Sequence, residues 1–378
     1  MAGREPGGRL VQAGEPRSIR LEAVRAVAAL AVIVEHCYGY AHNYDPAAIF
    51  GSFRDRLLAA TGNGVDLFYA LSGYLLFLPF ARWCWADAEA PDLGRYGRNR
   101  ALRILPLYYV VIVAYLVVEG ATRSQWWAFL TFTQNFFRGS LLQIDAPTWS
   151  IVVEVEFYVV LPLVGWLLFR TTRGSALRGA AALAGLVGVT LALNLSVTGD
   201  SPLSWQYSPA TNAFYFLPGM VLAYLTCLRP ERVTSRLPRP LRRSDLWVAT
   251  GVALWMIHAW LWSHNELLAL GCFLVLAACV LPLDRGLATT VLQLRALGLV
   301  GMVSYSIYLW HAPIVEALAR VVPAGFPGLL VASVAASLAV GAVSYAVVER
   351  PFLLLRRSWS SASPAPATST TKTSSGVR

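Results

Sequence analysis

Charge is scarce in this 378-residue chain: 14% of residues are Asp, Glu, Lys or Arg, against roughly 25% in soluble domains. With 56% hydrophobic residues and a mean hydropathy of +0.53, that shortage excludes an ordinary soluble domain and places the chain in a membrane. Lysine is almost missing, Lys372 being the only one, so arginine carries the net charge of +10. The arginines stand in short clusters between apolar runs, and no continuous basic domain suited to nucleic acid is present. Cysteine is sparse too. Cys37, Cys84, Cys227, Cys272 and Cys279 are odd in number and show no CxxC or Cys/His ligand spacing, which argues against a disulfide framework and against a zinc site; no metal is expected. Residues 1–18 lack the apolar core of a cleavable signal, so the first apolar helix is expected to act as its own insertion signal.

Long apolar runs are what the chain does have. A hydrocarbon core about 30 Å thick needs roughly 20 apolar residues per helix. Segments near 20–40, 62–81, 102–119, 147–169, 177–195, 210–228, 246–262, 266–283, 297–319 and 327–348 meet or approach that length. The expected fold is all-α, a polytopic membrane bundle of about ten transmembrane helices. "WWAFLTFTQNFF", 126–137, is too short to span and reads as interfacial or re-entrant. With ten spans and both termini cytoplasmic, only Arg54, Arg56, Arg123, Arg138 and Arg320 lie outside, and the other 26 of 31 basic residues lie inside. The expected location is the cell membrane. Residues 1–19 form a cytoplasmic segment, 20–353 the membrane domain, and the Ser/Thr/Pro/Ala-rich 354–378 a disordered cytoplasmic tail. No internal repeat stands out, which disfavours the common transporter architectures.

Ionisable groups at bilayer depth cost several kcal/mol unless they meet partners or water, so each is a functional candidate. Arg25 and His36 are eleven residues apart; at about 100° per residue they share a helix face, about 16 Å apart along the axis. Arg25 reads either as a snorkelling anchor paired with Glu22 or as part of a site. Glu154 in "PTWSIVVEVEFYVVLP" and His311 in "SYSIYLWHAP" fall at a depth comparable to His36, and the three are expected to meet, a set suited to acid/base work. Asp66 in "GNGVDLFYALSGY" is either a second carboxylate partner or a helix-start group. At the cytosolic side Arg82, Arg95, Arg98, Arg100 and Arg103 gather between the second and third spans. They read as orientation signals and lipid contacts, or as a site for a phosphorylated ligand.

In order along the chain, "LEAVRAVAALAVIVEH", "GNGVDLFYALSGYLL", "RNRALRILPLYY", "TWSIVVEVEFY", "SYSIYLWHAPI" and "SYAVVERPF" resemble the motifs of the membrane acyltransferase-3 family, the O-antigen acetylase-like integral membrane O-acyltransferases. The resemblance covers about 20–353. It implies an enzyme moving an acyl group, commonly acetyl, from cytosolic acyl-CoA as co-substrate to a hydroxyl, often of a sugar or glycolipid, with no permanently bound cofactor. It also implies that His36 is the essential histidine, Arg25 its motif partner, and that Ser72, Gly73 and Arg82 belong to a Ser-Gly motif. Glu154 matches the family's first glutamate, whereas Val155, Glu156 and Glu35 depart from the usual pattern.

A thioester is already activated, so the expected mechanism is assembly of donor and hydroxyl with removal of one proton. Arg82, Arg98, Arg100 and Arg103 are expected to hold the donor phosphates, with Ser72 beside them, and the pantetheine arm to follow the Arg25-to-His36 face. His36 is the expected general base, oriented by Glu154 or Asp66; an acyl-histidine intermediate is the variant. The competing reading is a transporter or lipid flippase that uses the same buried groups as a proton relay.

Overall fold

Small and β-branched apolar residues fill most faces of the opening helix, Ile19–Ala41, and in the computed structural model this helix is the axis around which others pack. Residues 19–137, 144, 146–228, 231, 234–262, 264–322 and 325–361 are described. Leu21, Val24, Ala28, Ala29, Val32, Ile33 and Cys37 are buried against the helices Gly64–Trp85, Arg295–Met302, Ser304–Ala319 and Gly325–Ser344. Two glycines make this packing possible. A Cβ on Gly301 would lie 1.8 Å from the Glu22 carbonyl oxygen, and one on Gly64 would lie 2.4 Å from that of Ala28.

Among the described residues all regular structure is helical, apart from one isolated bridge between Arg243 and Asp284. A helix coincides with each expected apolar run; the remaining ones are Leu93–Val118, Trp149–Thr172, Ala176–Leu195, Leu217–Cys227, Ser244–Leu261 and Asn265–Val280. Among the described residues, five stretches are long and apolar enough to cross a membrane alone: Phe53–Trp85, Leu93–Val118, Trp149–Thr172, Ala176–Leu195 and Gly325–Leu355. Two expected spans are not single rods. The run 297–319 breaks at Val303 (φ −97°, ψ 8°) and bends by 70°, and both parts, Arg295–Met302 and Ser304–Ala319, pack on the opening helix. The run 210–228 begins as a turn at Pro209–Asn212 and a 3-10 turn at Ala213–Phe216, leaving Leu217–Cys227 with only 11 residues. The Asn212 amide, 2.9 Å from the carbonyls of Gln206 and Ser208, satisfies that irregular backbone.

The short 126–137 run forms the helix Arg123–Leu130, whose first turn is closed by the Thr122/Gln125 capping box, then a 3-10 turn at Gln134–Phe136. The arginine-rich helix starts at Leu93 because the Asp92 carboxylate accepts the Arg95 N–H at 3.0 Å. At the chain's far end a π-helical turn, Tyr345–Glu349, re-aims Glu349 into the protein. Helical backbone continues to Ser361, past the boundary expected at 353. Residues 1–18 and 362–378 lie outside the described residues, as do Arg138 and part of the 229–243 cluster.

Candidate active site

Arg25 opens an inner chamber of about 40 Å³ that it lines with Ser150, Glu154, Ser304, Tyr305 and Tyr308. Its Nε is enclosed and lacks a hydrogen-bond partner, while Glu22, Glu154 and Arg103 are the charged groups within electrostatic reach. Glu154 is held by two hydroxyls: Ser72 donates to Oε1 at 2.5 Å and Tyr158, one turn along the same helix, at 2.6 Å. The Ser-Gly motif therefore has two structural halves. Ser72 fixes the carboxylate, and Gly73 lets the Phe216 backbone close in, since a Cβ there would sit 2.1 Å from the Phe216 carbonyl oxygen.

The arginine cluster divides according to helix face. Arg100 and Arg103, three residues apart, point inward: the Arg100 guanidinium lies 5.9 Å from the Tyr158 ring centre, and Arg103 lies 5.6 Å from that of Tyr305. Arg103 also pairs with Glu349 at 2.7 Å in a setting where the two side chains are 10% and 2% exposed. Ser306 donates to the second oxygen of Glu349. Arg98 falls on the opposite face and is exposed. Arg82 is also exposed, near Tyr74 and Cys227, and lies away from the chamber lining. Arg25 thus lines the chamber, with Arg100 and Arg103 behind the Tyr158 and Tyr305 rings, against the carboxylates of Glu22, Glu154 and Glu349.

The two histidines do meet. The His36 and His311 rings are stacked, with centres 4.9 Å apart and planes within 10°. His311 is 1% exposed and its Nδ1 contacts the Tyr308 carbonyl, which only accepts, so Nδ1 carries the proton and the enclosed Nε2, with no partner, keeps its lone pair. The His36 Nδ1 faces the carboxylate of Glu35, with the Tyr44 hydroxyl at 3.4 Å.

Glu154 does not join them, contrary to expectation: its oxygen bonds Ser72 and Tyr158 and it faces the Arg25 chamber, because comparable depth does not fix the direction in which a helix face points. Asp66 takes the second of its two readings, a group in the first turn of the helix Gly64–Trp85. The groups in its electrostatic reach are Tyr69, Tyr215 and Cys272, toward the helix Asn265–Val280. Tyr308 joins the two halves of the site. It lines the chamber, its ring centre lies 5.3 Å from that of His311, and its hydroxyl is anchored by Ser150 at 2.6 Å and the Pro147 carbonyl at 3.0 Å.

Sequence reasoning left Glu35 without a role and passed over Glu349, Tyr158 and Tyr308. Glu349 stands in "SYAVVERPF", where the π-helical turn rather than the sequence spacing decides its direction. Tyr158 was signalled by its i+4 spacing from Glu154. Among the described residues no group of three His, Cys, Asp or Glu side chains is placed to hold a metal.

A family model described as an acyltransferase domain matches residues 18–346. The peptidoglycan O-acetyltransferase OatA of Listeria monocytogenes is 23% identical over 88% of this chain and 55% of its own. The nodulation protein 10 of Rhizobium leguminosarum is 26% identical over 89% of this chain and 94% of its own. The O-acetyltransferase OatA of Staphylococcus aureus is 22% identical over 78% of this chain and 50% of its own. The chain thus spans about half the length of the OatA relatives. No solved structure matches.

Proposed function

Because the chain belongs to this acyltransferase family, matched over residues 18–346, we propose that it is a multi-pass O-acyltransferase of the cell membrane that moves an acetyl group from cytosolic acetyl-CoA to a hydroxyl of a sugar-bearing acceptor. On this reading it crosses the bilayer ten times with both termini in the cytoplasm. The observation that carries the proposal is the joined site: a chamber lined by Arg25 and Glu154, and a stacked histidine pair against which the chamber's Tyr308 packs.

Arg100, with Arg82 and Arg98 nearer the surface, receives the donor phosphates; Arg103, committed to Glu349, sets the field of the chamber wall. At about 40 Å³ the chamber has room for a few waters and not for a thioester arm, which enters only when side chains part. Arg25, whose enclosed Nε lacks a hydrogen-bond partner, supplies a donor along the path of the thioester arm. His36 takes the acceptor proton on Nε2 while Glu35 holds Nδ1. The hydroxyl oxygen forms the new ester bond, the carbon–sulfur bond breaks, and the imidazolium returns the proton to the departing thiolate. His311, stacked on His36, fixes its ring plane. An acyl-histidine route would instead leave an acylated peptide containing His36 when donor is supplied without acceptor. Family membership weighs against the transporter reading.

Vesicles carrying the full chain, given acetyl-CoA and a sugar acceptor, are expected to release free thiol and acetylated product together. His36→Ala is expected to lower that rate by about 100-fold or more. Undiminished transfer by that variant, or acceptor movement without thiol release, would overturn the proposal.

A further inference from the structure

A crevice of about 860 Å³ lies between the opening helix and the helices Ser244–Leu261 and Asn265–Val280, apart from the chamber just described. Its volume falls within the roughly 300–1,000 Å³ of ligand sites. The wall is almost wholly hydrocarbon, with Val24, Ala28 and Ala31 on one side and Val252, Trp255 and Val275 opposite. Val27 and Val252, 46% and 45% exposed, mark a mouth that opens sideways.

The two ends differ. At one, the Asp245 carboxylate is already occupied by the N–H groups of Leu287 and Ala288 at 3.0 and 2.8 Å. At the other, Thr61 and Asn63 close the crevice, and the Asn63 amide nitrogen is enclosed without a hydrogen-bond partner. That second end adjoins the histidine pair. Val24, Ala28 and Ala31 follow one helix stripe at i, i+4 and i+7, and the next position on it is Glu35, whose carboxylate faces His36. Gly62 packs on the Glu35 stem, where a Cβ would lie 3.0 Å from Cγ.

We propose that this crevice holds the hydrocarbon chain of an amphiphilic acceptor, its hydroxyl-bearing head lying at the Asn63 end beside Glu35 and His36. The inference rests on the O-acyltransferase reading and narrows its acceptor to a membrane-borne one. A chain moving from bilayer to crevice gains no hydrophobic free energy, since lipid tails are equally apolar. Selection therefore comes from packing and from the head, for which the unpaired Asn63 amide supplies a donor.

The test uses the full chain in vesicles of phosphatidylethanolamine and phosphatidylglycerol, photolabelled with a hexadecyl glucoside carrying a diazirine in its chain. Adducts are expected on residues 248–255 and 268–275, reduced about tenfold by excess unlabelled hexadecyl glucoside despite the surrounding phospholipid. Ala249→Trp and Val252→Trp, two exposed positions on the crevice wall, are expected to remove those adducts. Val189→Trp, on the exposed face of another helix, is expected to leave them. Adducts spread over all exposed helices, or unmoved by competitor and by both wall variants, would mean surrounding lipid only and overturn the proposal. The readout needs no turnover, so its failure is distinct from an absence of thiol release.

Discussion

Removing the Glu349 carboxylate should be one of the most damaging single changes in the molecule. Glu349 is 2% exposed, pairs with Arg103 at 2.7 Å and accepts from Ser306 through its other oxygen. Glu349→Ala leaves the Arg103 guanidinium, 10% exposed, without its counter-charge, and breaking such a buried pair from one side costs about 3–5 kcal/mol. Replacing both partners removes the orphaned charge. Arg103→Met/Glu349→Leu should therefore recover most of the loss in a thermodynamic cycle. The Arg320/Glu316 pair serves as an internal reference: its side chains are 73% and 32% exposed at 2.5 Å, and its removal should cost about 0.5 kcal/mol or less. Denaturant-induced unfolding of detergent-solubilised protein, followed by tryptophan fluorescence, measures each variant, with Arg103→Met and Glu349→Leu alone completing the cycle. A cost for Glu349→Ala no larger than that of Glu316→Ala, or simple additivity in the double variant, would refute the account of this pair as a buried constraint.

Further outcomes test the site and its packing. Ser72→Ala and Tyr158→Phe each remove one hydroxyl from Glu154, a hydrogen bond to a charged group worth about 1.5–3 kcal/mol, and each should lower acetyl-transfer kcat/KM by about tenfold or more. Gly73→Ala places a methyl 2.1 Å from the Phe216 carbonyl oxygen and should cost about 1–3 kcal/mol in unfolding experiments. Gly185→Ala, with nothing within 4 Å, should instead stabilise by about 0.5–1 kcal/mol. Glu35→Gln should lower kcat about tenfold or more while leaving the donor KM unchanged, because the carboxylate acts on His36 rather than on the donor; a rise in KM alone would contradict that role.

Much of the helical bundle was legible because apolar run length and charge clustering are one-dimensional properties, read directly along the chain. The His36 and His311 encounter was legible as well, since two imidazoles at equal depth have few other partners. Direction was harder to read. Glu154 bonds Ser72 and Tyr158 rather than joining the histidines, because helix rotation is set by contacts such as Gly73 on Phe216 that no periodicity announces. The bend at Val303 and the π-helical turn before Arg350 are backbone departures within apolar sequence, and they alone decide where Ser306 and Glu349 converge. Glu35 was hidden by adjacency. Consecutive helical side chains diverge by about 100°, so a contact between neighbours in sequence is the last one a helical wheel suggests.

The Tyr308 partition has a consequence for the cell's energy supply. On the proposed reading, the donor reaches the chamber from the cytosol, within a membrane that also stores an electrochemical gradient. With its hydroxyl held by Ser150 and Pro147 and its ring against His311, Tyr308 stands between the chamber and the histidine pair. On that reading a polar site within the bilayer can admit its donor without becoming a leak for protons.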